Sequence, residues 1–416
     1  MSYTGGFQPA RPGTVLVDTR RLDRILDVNA TDLTVTVEVG VTWERLYETL
    51  RAQGLRTPYF GPISGRHATV GGTLAQNSLF YGSARYGMAA DWVTSLDVVL
   101  ADGRVLTTGS AAHVAGTPFL RWYGPDLSAL FLGDTGAFGV KARATLQLVP
   151  FPAHTGFASF GFQTLEQQAA AMREIARLDL AAEVYGLDPY FHGVMARLGL
   201  EYLLEHPWSL HVVVDGASEA LVAAALDAIR PLGLREGVEI DATVAAAVRA
   251  DPFGGFGVLG DAGEVWVPIH CFLPWSKAEA AFAATRRVLD AAADRMAAVG
   301  MATSTLTACA RNAFVYEPCF WWRDEIDAFR LEKADDAARA AFGGRAPNPE
   351  ARALYVQLRR QLADAYATLG AAHIQIGKYY AFEDVLKPPA FDVLRQVKDV
   401  LDPRGLVNPG SLGLGS

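Results

Sequence analysis

Alternation between apolar and polar residues marks the first strands and the first helix of the chain. Residues 33–40 (LTVTVEVG) alternate as a half-buried strand does. The next stretch, 43–54, repeats apolar residues on one helical face, and Thr42 and Gly54 are suitable residues for its two ends. Residues 93–109 form two apolar runs around an Asp-Gly pair, which predicts a hairpin. Two further strands are predicted at 15–18 and 139–150.

The pattern changes near Pro152, where strands and longer helices begin to alternate. Such alternation predicts a sheet that is covered on one face by helices. The predicted strands are 157–163, 208–216 and 264–274. The predicted helices are 165–179, 218–233, 276–298 and 349–369, a charged helical stretch within 323–346 and, near the carboxyl end, 388–400.

Composition narrows the classes of function. The chain has 416 residues, enough for two or three domains, and a formal net charge of -8. This acidic balance disfavours nucleic acid as a partner, because phosphate binding needs clustered Lys and Arg. Three scattered cysteines are too few for a disulfide framework or a cysteine zinc site, and we predict no metal. Since no signal peptide and no apolar run of ~18 residues are evident, we expect a cytoplasmic protein without a membrane span.

Two glycine-rich stretches are candidates for ligand contact. The stretch 61–93 holds a pair of adjacent glycines before a short helical piece, and 130–146 holds three glycines at a three-residue spacing. Glycine lets the backbone approach a flat or anionic ligand closely. Glycines also serve as turns and as packing positions between a helix and a sheet, so the spacing alone leaves both interpretations open.

Two other stretches are candidates for substrate contact. His373 and Lys378 lie in AAHIQIGKYYAF, 371–382. An imidazole suits a general base near neutral pH, and a lysine or arginine can hold a carboxylate or a phenolate. The aromatic stretch 308–325 contains Arg311, a charge that needs an anionic partner if it is buried. A core histidine and a core strand are the alternative interpretations.

Several motifs follow one another in the order of a known family. They are TVTVEVGVTWERLYETL, ATVGGTLAQN, GSARYGMAADWVTSLDVVLADGRVLTTG, YGPDLSALFLGDTGAFGVKARATLQLVP and, near the carboxyl end, LDPRGLVNPGSLG. With them the chain resembles the FAD-binding oxidases of the vanillyl-alcohol oxidase family, which are FAD-linked and have the PCMH-type fold. The resemblance is dense over 14–152 and 372–416. It is weak over 153–371, where the family's substrate domain varies.

The resemblance implies an α+β fold in which both chain ends, 1–152 and 372–416, form a two-part PCMH-type FAD-binding domain. An antiparallel sheet with helices, 153–371, would be inserted as the substrate or cap domain. FAD is the implied cofactor. Its implied contacts are the glycines and polar residues of the motifs: Ser2, Tyr3, Thr4, Gly5, Gly6, Gly71, Gly72, Asn77, Ser83, Arg85, Tyr86, Gly87, Gly133, Gly136, Gly139, Val140 and Asn408.

The resemblance also implies a reaction. Related hydroxy-acid dehydrogenases place a His and, five residues later, a Lys at the flavin, whereas phenol-oxidising members use tyrosines and an arginine. We expect an FAD-dependent oxidoreductase that oxidises the CH–OH group of a small or aromatic hydroxy acid and passes electrons to oxygen, a quinone or a cytochrome. Alternatives are oxidation of a para-substituted phenol or benzylic alcohol, and a flavin-less remnant that acts as a partner subunit. The candidate catalytic residues are His373, Lys378, Tyr379 and Arg311, with Tyr380 beside them.

The first residues, SYTGG, resemble the second half of the family loop that binds the FAD pyrophosphate. In the family a strand-helix-strand unit and an Arg-Gly-Gly-Gly sequence come before it. We expect this unit, roughly 30 residues or more, to be missing, because the start codon is misassigned, the chain is a fragment or another polypeptide supplies the rest. The partner that we expect is a second copy of the chain or another chain. On this expectation the 416-residue form alone binds FAD weakly or not at all, because a terminal loop frays.

Overall fold

The computed structural model describes residues 3–254 and 259–415, with the backbone alone for Phe329. These residues form two compact units. The terminal unit consists of the described residues up to Phe151 and those from His373 onward, and the inserted unit is Pro152–Ala372. None of the described helices combines the length and the apolar character that crossing a membrane requires.

The terminal unit is built on a five-stranded antiparallel sheet in the order β1-β2-β6-β4-β5, beside which β3 pairs with β7. Gly103 has a φ of +87°, which lets the chain turn tightly between β4 and β5, as the Asp-Gly pair predicts. The strands are β1 (Ile25–Asn29), β2 (Thr34–Glu38), β3 (Leu55–Arg56), β4 (Val93–Val99), β5 (Val105–Thr107), β6 (Val140–Gln147) and β7 (Val149–Pro150).

Three short helices accompany this sheet: α1 (Trp43–Arg51), α2 (Val70–Gln76) and α3 (Ser83–Tyr86). Helix α1 begins where the sequence predicts, because the Thr42 hydroxyl accepts a hydrogen bond from the Arg45 N–H. Its face with Leu46 and Leu50 is fully buried. Burying each of these side chains stabilises the unit by about 1.5–3 kcal/mol.

The strand predicted at 15–18 is wrong. Residues 15–18 have no regular secondary structure, and the side chains of Val15, Leu16 and Val17 are 82, 63 and 60% exposed. An apolar run becomes a strand only where a neighbouring strand pairs with it, and none of the described strands pairs with residues 15–18.

The inserted unit contains an eight-stranded antiparallel sheet in the order β11-β8-β10-β9-β14-β15-β12, with β13 also pairing with β15. Its strands are β8 (His154–Phe162), β9 (Glu183–Leu187), β10 (Trp208–Gly216), β11 (Val238–Ile240), β12 (Val265–Pro268), β13 (Cys271–Pro274), β14 (Ala302–Ala310) and β15 (Ala313–Trp322). The single strand predicted at 264–274 is therefore two strands. The break lies at Ile269 and His270, opposite Pro318 of β15.

Helices pack closely on this sheet where it carries glycine. A side chain at Gly156 would collide with Val222 of the helix after β10, and one at Gly186 with Gln168 of the helix after β8.

The predicted helix 276–298 is two helices, and 323–346 contains two short ones. The helices of this unit are α4 (Leu165–Arg177), α5 (Pro189–Ala196), α6 (Glu219–Gly233), α7 (Thr243–Ala250), α8 (Ala278–Asp290), α9 (Ala293–Ala298), α10 (Ala328–Lys333), α11 (Asp336–Phe342) and α12 (Pro349–Thr368).

After His373 the chain completes the terminal unit with two helices, α13 (Phe382–Val385) and α14 (Pro388–Leu401). The last described residues form turns around a short 3-10 helix, Ser411–Gly413. These α and β elements confirm the predicted α+β class, with an antiparallel sheet between the two terminal parts.

Candidate functional site

Five loops of the terminal unit meet and form what we call the loop cluster. Its hydrogen bonds join segments that are far apart in sequence: Gln375 N–H donates to the Gln76 carbonyl, and Gly133 N–H donates to the Leu74 carbonyl. Lys378 N–H donates to the Thr4 carbonyl at 2.9 Å. The loop cluster is defined by the segments 3–8, 74–77, 133–137, 375–378 and 408–412.

Asn408 is the residue that ties most of these loops together. Its amide nitrogen donates to the Gly6 carbonyl at 2.8 Å and to the Thr135 carbonyl at 2.7 Å. The Thr135 hydroxyl in turn accepts from Gly377 N–H at 3.3 Å. One side chain therefore holds the amino-terminal loop and the 133–137 loop against the carboxyl-terminal loop.

The backbone of the loop cluster is strained. Nine described residues other than glycine have a positive φ, and five of them lie in these loops. Conformations of this kind cost about 1–3 kcal/mol each and collect at functional sites, where the surrounding structure holds them. The strained residues are Asn77 (φ +47°), Thr135 (+53°), Gln375 (+50°), Asn408 (+42°) and Leu412 (+59°).

The glycines chosen from sequence divide into two groups. A side chain at Gly71 would meet Val39 Cβ at 2.6 Å, and one at Gly139 would collide with Val98, so these two glycines let loops pack on the sheet. Gly133 and Gly136 have φ values of +69° and +73° and keep space beside them in the loop cluster. This second pair and the exposed Gly72 are the glycines of these two stretches whose backbone a ligand can approach.

Other predicted cofactor residues also have structural partners. The side-chain Oδ1 of Asn77 accepts from Ala90 N–H at 3.2 Å. The Ser83 hydroxyl accepts from Phe80 N–H, and the Tyr86 ring lies under the guanidinium of Arg85 at 5.5 Å. The remaining predictions lie as follows: Ser2 falls outside the described residues, Tyr3, Thr4, Gly5 and Gly6 form the first loop, Gly87 follows α3, and Val140 begins β6 paired with Val99.

Three side-chain oxygen atoms in the loop cluster are buried and have unused hydrogen-bonding capacity. Within the described residues, Gln76 Oε1, Gln375 Oε1 and Ser411 Oγ make no hydrogen bond. A buried polar atom without a partner costs about 1–3 kcal/mol. Their arrangement therefore suits a ligand with many hydrogen-bonding groups.

A buried lysine fixes the carboxyl-terminal loop. Lys398 Nζ donates to the carbonyls of Ala137 and Val407, both at 2.7 Å, and to Asp402 Oδ2 at 2.6 Å. The side chains of Lys398 and Asp402 are 3% and 0% exposed. Burial raises the pKa of the Asp402 carboxyl, but the Lys398 ammonium and the N–H groups of Leu406 and Val407 outweigh it, so the pKa is below its usual value.

The segment that enters the loop cluster carries the predicted catalytic residues. The rings of His373 and Tyr380 stack at 3.7 Å with an interplanar angle of 12°. Tyr379 meets Tyr380 edge-on at 5.2 Å. Lys378 Nζ donates to the Gln8 carbonyl at 2.6 Å, and partial burial lowers the pKa of this ammonium below its usual range.

The interpretation of Arg311 as a buried charge is wrong. Arg311 and Asn312 are exposed and form the two-residue turn between β14 and β15, and Arg311 has a φ of +53°. A guanidinium in water needs no anionic partner in the protein. The aromatic residues beside it belong to a core: Phe314 and Tyr316 pack against Phe282 of α8.

Two histidines of the inserted unit, His211 and His270, are buried within it. His211 is fully buried, and its ring nitrogens contact the hydroxyls of Ser159 and Ser209, each at 2.9 Å. Burial lowers the pKa of His211 to about 3, so the ring is neutral. His270 lies buried at the break between β12 and β13.

Two family profiles match the two ends of the chain. The FAD binding domain matches residues 1–109, and the C-terminal domain of FAD linked oxidases matches residues 369–412. Both matches fall on segments that supply the loop cluster. At both ends the chain is therefore similar to the FAD-linked oxidases. Its cofactor is FAD, and the resemblance drawn from the sequence motifs is confirmed.

Relatives and solved structures agree with this family. The chain is 35% identical over 150 residues to glycolate oxidase subunit GlcD of Bacillus subtilis, covering 36% of this chain and 30% of that protein. It is 31% identical over 227 residues to D-2-hydroxyglutarate dehydrogenase of Xanthomonas citri pv. viticola, covering 54% and 46%. The match thus spans less than half of either relative. The fold is similar to that of p-cresol methylhydroxylase, with a TM-score of 0.74 at 16% identity, over 100% of this chain and 83% of that one.

The loop cluster fits FAD. Unpartnered Gln76, Gln375 and Ser411 oxygens match the many polar groups of the cofactor, and the glycine backbone at 133 and 136 leaves room for a close approach. When bound, FAD supplies a two-electron acceptor.

Several residues of the site are missed by sequence reasoning. Gln76 and Gln375 give no motif signal of their own, although each lies within two residues of a residue that the sequence does select. Thr135 stands between two glycines that were selected by their spacing. Lys398 is one of the polar residues of an amphipathic helix, and nothing local distinguishes it from a solvated lysine.

Replacing Asn408 by alanine is expected to weaken FAD binding about ten-fold or more, because two hydrogen bonds between loops are lost, each contributing about 0.5–1.5 kcal/mol. Fluorescence titration of the apoprotein with FAD measures the dissociation constant. Asn312→Ala, at an exposed turn of the inserted unit, is the matched control. An unchanged dissociation constant in Asn408→Ala would show that FAD binding does not depend on the hydrogen bonds of Asn408.

Proposed function

We propose that this protein is an FAD-dependent oxidoreductase that oxidises the CH–OH group of a small or aromatic 2-hydroxy acid. The observation that carries the proposal is the position of His373 and Lys378 on one segment, which continues directly into the loop cluster. A base and a cation on the same loop suit a substrate that has a hydroxyl group beside a carboxylate.

In this proposal His373 acts as the general base. The neutral imidazole takes the proton of the substrate hydroxyl at a ring nitrogen, while the carbon loses its hydrogen with two electrons and becomes a carbonyl. An imidazole changes charge near neutral pH, so it can accept this proton and later release it to water. The Tyr380 stack covers one face of the ring and leaves the ring edge, where the nitrogens lie, to other contacts.

Lys378 holds the substrate carboxylate in this proposal. Its ammonium has three N–H donors and spends one on the Gln8 carbonyl, so two are left for an anion. The Gln8 bond also fixes the direction of a long, flexible side chain. Since Arg311 is exposed on a hairpin turn, Lys378 is the stronger candidate of the two cations.

The names of the curated relatives support this class of substrate. One is a glycolate oxidase subunit, and others are D-2-hydroxyglutarate and D-lactate dehydrogenases. A para-substituted phenol or benzylic alcohol is the second candidate, favoured by the adjacent rings of Tyr379 and Tyr380 on the same segment. Lys378 would then pair with a phenolate.

A product assay separates the two candidates. The FAD-loaded protein is mixed with an artificial electron acceptor and with glycolate, lactate or 2-hydroxyglutarate in both enantiomers, or with p-cresol and vanillyl alcohol. Formation of the 2-oxo acid supports the proposal. Turnover of the phenols alone replaces it by the second candidate.

Lys378→Met is expected to raise KM for a 2-hydroxy acid by about ten-fold or more while FAD content stays the same, because a charge-assisted hydrogen bond is lost. The wild-type KM is also expected to rise on the alkaline side earlier than an ordinary lysine would cause, because the lowered pKa removes the ammonium charge at lower pH. Arg311→Met is the matched control. If Lys378→Met loses FAD instead, Lys378 belongs to the cofactor site.

A further inference from the structure

The stack between His373 and Tyr380 is unusually close. Their ring centroids are 3.7 Å apart and the planes differ by 12°, whereas the stacked rings of Tyr190 and Trp321 lie 5.0 Å apart at 26°. At this separation the rings overlie each other almost directly. Two neutral aromatic rings prefer an offset or edge-on arrangement, because their faces carry like partial charge.

A direct overlay becomes favourable when one ring is a cation. An imidazolium over the face of a phenol is attracted by the negative charge of that face. The geometry therefore suits the protonated form of His373 better than the neutral form. This is the form that proton abstraction from a substrate creates.

The turn between the two residues is built to hold this geometry. Tyr379 and Tyr380 both donate their N–H groups to the Ile376 carbonyl. Gly377, which follows Ile376 in this turn, has a φ of +61°. Gly377 is in turn fixed to the loop cluster by the Thr135 hydroxyl. The Tyr380 side chain is 8% exposed, so its ring has little freedom to leave the stack.

We propose that Tyr380 is a positioning residue, whose ring fixes the plane of the His373 imidazole and stabilises the imidazolium that forms when His373 takes the substrate proton. This inference rests on the proposed function, in which His373 is the base. It assigns to Tyr380 a role through His373, and it does not need the phenol hydroxyl.

The role predicts a distinct pattern among variants. Tyr380→Phe keeps an aromatic face. In this variant a 2-hydroxy acid is expected to reduce the flavin at a rate within about two-fold of the wild-type rate. Tyr380→Leu and Tyr380→Met remove the face and are expected to be roughly ten-fold slower, with KM changed much less than the rate. Tyr123→Leu, at an exposed tyrosine of the same unit, is the control for loss of an aromatic side chain.

The stack itself is measured without any substrate. The ring protons of His373, assigned by comparison with His373→Gln, are expected at an upfield NMR position in the wild type and in Tyr380→Phe. They are expected to move to the ordinary histidine position in Tyr380→Leu. Protein-bound FAD and Tm are recorded for each variant, so that a folding defect is recognised.

Three results overturn the inference. One is an unchanged His373 resonance in Tyr380→Leu, and another is a Tyr380→Phe variant as slow as Tyr380→Leu. The third is a wild-type flavin reduction rate in Tyr380→Leu, which leaves the proposed function intact. Failure of the proposed function looks different: the wild-type protein itself is then not reduced by any 2-hydroxy acid, although the ring-current shift is present.

Discussion

His373→Ala is expected to slow the reduction of bound flavin by a 2-hydroxy acid by ~10²-fold or more, which is the usual contribution of a general base. Without the imidazole, the substrate hydroxyl proton must leave to water in the step that forms the carbonyl. Rapid anaerobic mixing of the FAD-loaded variant with substrate measures this rate directly, before any electron acceptor is involved.

The control for this variant is His154→Ala, because His154 is exposed at the start of β8. Bound FAD is measured in both variants and in the wild type, so that a loss of cofactor is told apart from the loss of the base. A rate within about three-fold of the wild type would remove His373 from the role of base.

Lys398→Met is expected to lower the free energy of unfolding by about 3–5 kcal/mol, because removing one partner leaves the buried Asp402 carboxylate without its counter-charge. The carbonyls of Ala137 and Val407 lose their donor as well. Urea unfolding of wild type and variant measures the difference. Lys387→Met is the matched control, because Lys387 is exposed and caps the amino-terminal end of the same helix.

A double variant separates charge from packing. Lys398→Met combined with Asp402→Asn removes both charges and is expected to be more stable than Lys398→Met alone. If the single and double variants are equally unstable, the loss comes from packing, and the ion pair is not what holds the loop.

The pH dependence of stability follows from the lowered pKa of Asp402. A carboxyl whose pKa is lower in the folded protein contributes stability above its unfolded pKa and loses it as the pH falls through the folded value. The wild type should therefore lose stability on the acid side more steeply than the Lys398→Met, Asp402→Asn double variant.

Local patterns predicted the elements whose causes are local. The Thr42 cap, the Asp-Gly turn at Gly103 and the alternation in β2 each act within a few residues, and the structure contains all three. The apolar run at 15–17 shows the limit of this reasoning, because its state depends on a pairing partner that no local pattern reveals. The break at Ile269 and His270 likewise depends on the opposing strand.

Only part of the loop cluster could be predicted from the sequence. The spacing of Gly133, Gly136 and Gly139 selected a loop of this cluster, but it did not show that a side chain at Gly139 would collide with β4, whereas one at either of the other two would make only ordinary contacts. Thr135 and Gln375 adopt left-handed conformations that their side chains do not favour, so only the tertiary structure reveals them.

The residues that join segments far apart in sequence were even harder to predict from the sequence. Lys398 meets Ala137 across 261 positions, and Asn408 meets Gly6 across 402. Asn408 was selected because it lies in a family motif. In the structure its amide nitrogen joins loops by donating to the carbonyls of Gly6 and Thr135. Arg311 was selected for its neighbours in sequence, and the hairpin turn places it in solvent.

The central claim is that a 2-hydroxy acid delivers electrons to FAD bound by this chain. The most direct measurement is the visible absorbance of the FAD-loaded protein after anaerobic mixing with glycolate, lactate, 2-hydroxyglutarate and p-cresol in turn. The account predicts that at least one 2-hydroxy acid bleaches the flavin and is converted to the 2-oxo acid in a one-to-one ratio. A flavin that stays oxidised with every 2-hydroxy acid but is bleached by p-cresol would contradict it.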